Sequence, residues 1–193
     1  GDFLLIEGDS IKNEIKSNLK EYFNNEIKKD ELFTPFLVNP VRDILYHDGF
    51  LYVVILDITI NNDKINYFTS VLKGKFNSDF VNFEYFFKPK SFIQEGDDPI
   101  DHTHGGGRIV VDEDGNFFLA VPEYGQKKSA QDKNSIFGKT LQILSLEDYK
   151  IMSIGHRNPQ GFYYDKEKDF FLETEHGPSD GDEINIIKQG KNY

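Results

Sequence analysis

The chain has 193 residues, 38% of them hydrophobic and 15% aromatic, enough apolar material for one folded core and too much for a disordered segment. Lys plus Arg number 22 against 33 for Asp plus Glu; the net charge of -11, with no basic cluster, argues against nucleic acid or an anionic membrane as partner and leaves divalent cations as candidate ligands of the acidic loops. The absence of cysteine excludes disulfides, thiol nucleophiles and cysteine-based zinc sites, and no apolar run approaches the roughly 18 residues that span a bilayer.

Residues 9–30, D-S-I-K-N-E-I-K-S-N-L-K-E-Y-F-N-N-E-I-K-K-D, place Ile11, Ile15, Leu19 and Phe23 four apart after a capping Asp9 or Ser10. That spacing predicts an amphipathic helix lying on a larger body. From about residue 41 the texture changes to β-type runs broken by turn residues, and abundant Phe, Tyr and β-branched residues make the expected class mainly all-β. V-R-D-I-L-Y-H-D-G-F-L-Y-V-V-I-L reads as strand, Asp48-Gly49 turn, strand; R-I-V-V-D-E-D-G-N-F-F-L-A-V repeats this around Asp114-Gly115, and G-F-Y-Y-D-K-E-K-D-F-F-L-E-T does so a third time. D-E-D-G-N lacks the further ligands of a calcium loop and is read as a turn. Hairpins starting near 41, 108 and 161 suit propeller blades with inserted loops better than a sandwich.

Three stretches in order carry a resemblance: H-G-G-G-R-I-V-V-D-E-D-G-N-F-F-L-A-V at 104–121, S-A-Q-D-K-N-S-I-F-G-K-T-L-Q-I at 129–143, and 155–193, which opens with G-H-R-N-P-Q-G and contains T-E-H-G-P-S-D-G-D-E. Together they resemble the glucose/sorbosone dehydrogenase family, soluble aldose dehydrogenases that use pyrroloquinoline quinone (PQQ). The resemblance implies a six-bladed β-propeller with the cofactor over its central channel. Because the sequence stops at Asn192-Tyr193, inside a family motif, the expectation is a partial propeller of about three to four blades over 41–193, the whole chain forming one partial domain.

The resemblance also implies roles. His104, opening H-G-G-G-R, matches the general base, and Glu123, about nineteen positions on, matches the carboxylate that orients it, where relatives have Gly-Asp; Glu123 also reads as a solvated loop residue. Arg157 and Asn158 match residues facing quinone and substrate; their other reading is a tie between neighbouring blades. The carbonyls of Gly177 and Pro178 match ligands of the calcium that touches the cofactor, and Asp182 matches a carboxylate of a second calcium site. Gln160 and His156 read as structural. Thr103 stands before His104 where an acid can occur, the Gln-Gly-Gly stretch of relatives has no counterpart in V-N-P-V-R-D, and the Lys and Arg that grip the cofactor's carboxylates would fall beyond Tyr193.

The implied function is PQQ- and calcium-dependent oxidation of an aldose at its anomeric carbon to the lactone, with electrons leaving to an external acceptor. Export to the periplasm or medium is expected by the same resemblance, although G-D-F-L-L-I-E-G-D-S is no signal peptide. The alternative is a propeller-derived binding module that has lost its cofactor. A third expectation is pairing of two short chains to complete a ring, since a half-propeller exposes edges and apolar faces.

Overall fold

In the computed structural model, which describes residues 3–7, 9–23, 40–62, 64–94, 100–101 and 103–193, the N-terminal stretch is extended. β1 (Phe3–Glu7) and β2 (Ser10–Ser17) form an antiparallel hairpin with Phe3 opposite Ile15, and Leu19–Tyr22 make one 3-10 turn. The helix expected over 9–30 is therefore corrected to strand and turn over 9–23; residues 24–30 lie outside the described residues. The spacing that suggested it is degenerate. Positions four apart share a helix face, but four is a multiple of two, so Ile11 and Ile15 suit a strand as well, while Leu19 and Phe23 fall in the turn after it. Long-range pairing decides between the two. The Asn18 side chain accepts the Phe83 N–H at 2.7 Å and donates to the Phe83 carbonyl at 3.1 Å, while Ile15 and Leu19 bury themselves among Val53, Ile55, Leu72 and Val81.

The first large sheet takes β3 (Val41–His47), β4 (Phe50–Asn61) and β5 (Lys64–Lys75). β6 (Phe80–Val81) leaves to pair in parallel with β2, β7 (Phe83–Phe87) completes the order β3-β4-β5-β7, and β8 (Ile93–Gln94) adds to β5. The Asp48-Gly49 turn has φ of 48° and 79°, the left-handed pair that a tight hairpin requires. β4 is covered on both faces: Val53 and Ile55 enter the core shared with the N-terminal hairpin, and Tyr52, Val54 and Leu56 enter a second core shared with the next sheet. A strand with no solvent face shows no alternation, so L-Y-V-V-I-L reads as one apolar run.

The second sheet runs from β9 (Arg108–Val111) through β10 (Phe117–Val121), the short helix α1 (Lys127–Gln131), β11 (Lys139–Ile143) and β12 (Tyr149–Ile154). The third holds β13 (Pro159–Asp165), β14 (Phe170–Glu175) and β15 (Glu183–Ile187), after which β16 (Lys191–Asn192) returns to lie parallel to β12. All three predicted hairpins are present. The D-E-D-G-N segment is the expected turn, with Asp112 accepting the Asn116 N–H and side-chain amide at 2.8 Å each.

The first strand of each large sheet lies next to the first strand of the following one. Arg108 on β9 ties them: its guanidinium donates to the Arg42 carbonyl on β3 and to the Gln160 carbonyl on β13, and Asp43 accepts the Ile109 N–H at 3.0 Å. Successive up-and-down sheets joined at their first strands are blades set around an axis, and the described chain is mainly all-β, part of a β-propeller. The connections on one side of these strands, at 100–101, 103–107, 122–126, 155–158 and 176–182, meet to form the site.

Candidate functional site

His104 is buried on the glycine-rich connection that enters β9. That loop needs glycine: a Cβ on Gly106 would lie 2.3 Å from the Pro159 carbonyl oxygen. The Gly106 N–H donates to Asn158 Oδ1 at 3.1 Å, locking the loop to the one that enters β13. The imidazole Nδ1 then faces the connection that leaves β10, 3.0 Å from Glu123 Oε1 and 3.2 Å from the Gly125 N–H. Nε2 faces outward, 3.4 Å from Asp101 Oδ2.

Glu123 is 1% exposed and, among the described residues, neither of its oxygens accepts a hydrogen bond from elsewhere. An ionised buried carboxylate without a donor is far more costly than one neutral hydrogen bond lost. The proton of a neutral His104 therefore belongs on Nδ1, shared with Glu123, which leaves the Nε2 lone pair toward the cleft. The solvated-loop reading of Glu123 does not survive its burial.

Asp101 has no counterpart in the sequence reading. Burial alone would raise its pKa, but the Thr103 hydroxyl and amide, with His104 and Arg157 nearby, outweigh this and hold the carboxyl below the usual range. Thr103 thus serves the acid instead of replacing it. The signal was an Asp two positions before Thr103, which only the turn at 101–104 brings back onto the imidazole.

Arg157 and Asn158 occupy the joint between blades. The Arg157 main chain accepts from Glu123 N–H at 2.9 Å and donates to Glu175 Oε2 at 2.7 Å, while its guanidinium Nη1 donates to the carbonyls of His176 and Gly177 at 2.9 and 3.1 Å. Asn158 is buried, with Oδ1 taken by the Gly106 N–H and by Gln160 Nε2 at 2.7 Å. The blade-tying role weighed for this pair is present in full for Asn158; Arg157 combines it with a place on the cleft wall.

The loop at 176–182 is folded tightly. A Cβ on Gly177 would sit 1.7 Å from the Gly181 carbonyl oxygen, so only glycine fits. Pro178 and Asp182 are exposed, and Asp182 accepts the Gly177 N–H at 3.2 Å beside His176 Nδ1. The His176 and Gly177 carbonyls converge on one cationic nitrogen of Arg157. The loop is built to present oxygens to a positive charge, and that charge is at present a guanidinium.

Two adjoining clefts open over these groups. One, about 620 Å³, lies over Asp101, His104, Gly125, Lys127, Lys128 and Arg157; the other, about 280 Å³, continues past Lys127 and Arg157 to His156, Glu175, Gly177, Pro178 and Tyr193. The lysines of α1 went unnoticed in the sequence, where K-K in a polar stretch looks like any solvated pair. Next to the cleft wall, His156 is fully buried between Glu173 and Glu175. Burial opposes its charge, but the two carboxylates prevail and hold its pKa up at about 9.

The family model for Glucose / Sorbosone dehydrogenase matches residues 43–193. The chain belongs to the glucose/sorbosone dehydrogenase family. It is 36% identical over 105 residues to the aldose sugar dehydrogenase YliI of Escherichia coli K12, a match covering 47% of this chain and 28% of the relative. It is 27% identical over 127 residues to quinoprotein glucose dehydrogenase B of Acinetobacter calcoaceticus, covering 49% and 26%. Its fold superposes on the crystal structure of the soluble aldose sugar dehydrogenase of Escherichia coli in the apo form with a TM-score of 0.61 at 27% identity, covering 82% of this chain and 46% of that one. The chain spans about a quarter of the length of these curated relatives and under half of the solved structure. Among the described residues no helix is long and apolar enough to cross a membrane.

Proposed function

We propose that this glucose/sorbosone dehydrogenase family chain carries the proton-accepting part of a PQQ- and calcium-dependent aldose dehydrogenase, which oxidises a sugar at its anomeric carbon to the lactone and passes electrons to an external acceptor. The observation that carries this reading is His104: buried, backed through Nδ1 by an otherwise unpartnered carboxylate, and turned through Nε2 to a cleft of about 620 Å³.

The residues present fit a carboxylate-bearing quinone. Lys127, Lys128 and Arg157 line the cleft as cations, within a molecule of strongly negative net charge. The Gly177 carbonyl, with that of Pro178 beside it, fits calcium; because Gly177 now accepts from Arg157, that hydrogen bond and a calcium contact at the same oxygen are alternatives. When bound, the quinone supplies the acceptor for the hydride of the anomeric carbon, with calcium polarising it. His104 Nε2 takes the hydroxyl proton of the sugar, Glu123 holds the opposite side of the ring in place, and Asp101 stabilises the imidazolium that results. Asn158 holds the two loops in register through Gly106. Export to the periplasm or medium goes with this reading by family resemblance.

The binding-module reading is favoured by one observation: Asn158 Oδ1 and Arg157 Nη1 are spent on protein partners. One titration separates the two. The metal-stripped chain is titrated with PQQ with and without calcium, following the quinone absorbance. Calcium-dependent binding that a chelator reverses supports the dehydrogenase, and no binding at high concentration leaves the module.

A further inference from the structure

We infer that His156, Glu173 and Glu175 form a binding site for a divalent transition ion of the zinc type, distinct from the calcium loop and independent of the proposed sugar chemistry. Glu173 and Glu175 stand two apart on β14 and so turn inward together, with Thr174 exposed between them, while His156 reaches them from the connection before β13. His156 Nδ1 lies 2.8 Å from Glu173 Oε1 and 3.0 Å from Glu175 Oε1, and the three donor atoms fall within 4.8 Å of one another. All three side chains are at least nine-tenths buried.

The two carboxylates hold a proton at Nδ1, but that proton does not balance their charge. One N–H faces two carboxylate oxygens, and even an imidazolium leaves one negative charge uncompensated inside the protein. Glu173 Oε1 is fully buried, points into the cluster and, among the described residues, has no partner besides His156 Nδ1. A divalent ion bound by all three would supply the missing charge.

Each donor is also held from behind, as metal ligands are. Ser153 Oγ lies 2.7 Å from His156 Nε2, Thr140 Oγ1 donates to Glu173 Oε2 at 2.9 Å, and the Arg157 N–H donates to Glu175 Oε2 at 2.7 Å. Asn185 donates to Glu175 Oε1, the oxygen that faces His156, at 2.9 Å and fixes its direction. One imidazole nitrogen with two carboxylates suits zinc, cobalt or manganese; calcium prefers six to eight oxygens. The smaller cleft, walled by His156, Glu175 and Tyr193, gives an ion its way in.

The test is a titration of the metal-stripped chain with Co²⁺ in excess calcium. Visible absorption bands that saturate at a single ion per chain are expected. Thr140→Val, which removes only an outer support, should weaken binding about 10-fold, and Glu173→Gln, which removes a ligand, about 100-fold or more. His176→Gln, which deletes the exposed imidazole beside Asp182, should bind as the parent does. A folded parent chain that takes up no cobalt overturns the site, as does Glu173→Gln binding undiminished or binding lost in His176→Gln. Should Glu173→Gln not fold, thermal melting of the parent chain with and without Zn²⁺ decides: a raised Tm supports the site, and an unchanged one removes it.

Discussion

At the scale of single residues, His104 is held by two groups that ask opposite things of one nitrogen. Gly125 N–H needs a lone pair on Nδ1, and Glu123 needs a proton there. The buried charge wins, so replacing it should reverse the outcome. In Glu123→Gln we expect the ring proton to move to Nε2, visible in the ¹⁵N shifts of the imidazole, with Gly125 taking over Nδ1. On the proposed reading, the same change should lower the kcat of the quinone-loaded protein by roughly 10²–10⁴-fold, the usual range for losing a general base. Unchanged ring shifts would remove Glu123 from the orienting role. The residue types at 104, 157 and 177 were legible because each sits in a dense motif, and that at 123 only through its spacing from His104. Asp101, Lys127 and Glu173 were not, since a lone acid or a lysine pair has no local signature and gains meaning only from what folds against it.

At the scale of elements, the hairpins were readable and the N-terminal segment was not. Asp48-Gly49 and Asp114-Gly115 impose their turns locally, with Gly115 at φ +81°. The segment 9–23 has a spacing that two periodicities share, and pairing with Phe80–Phe83, some sixty residues away, settles it. A strand that depends on such remote pairing should open before the blades do. We expect the amides of β2 to exchange with deuterium faster than those of β4, which is covered on both faces. Helix α1 shows a further long-range device. Buried Lys139 donates to the carbonyls of Ser129, Ala130 and Phe137 at 2.6, 2.8 and 2.8 Å, stopping the end of the helix against β11. Lys139→Met keeps the bulk and removes the donors, so chemical denaturation should show a loss on the order of 3 kcal/mol. A loss below about 0.5 kcal/mol would mean that water replaces the ammonium at no cost.

At the scale of the molecule, the blades share an apolar core and are pinned by a few polar side chains. Arg108 holds three first strands at once, and Arg108→Met should lower stability by about 2–4 kcal/mol, more than a surface Arg loses, as read by the denaturation midpoint. One face of β15 leaves Ile184 75% and Ile186 50% exposed. Light scattering is expected to show concentration-dependent association that Ile184→Lys with Ile186→Lys abolishes; a chain that stays monomeric at millimolar concentration would dismiss the pairing expectation. The sequence by itself determined the mainly β class, the turns, the family and those candidate site residues that lie in its motifs, because these follow from local conformational preference and from motifs contiguous in the chain. Only the tertiary structure decided that 9–23 is strand and turn, that Glu123 is buried against His104, that Asn158 is a tie, and that His156 meets two carboxylates. Each of these depends on residues far apart in sequence, whose burial and charge have no value until the blades close on one another.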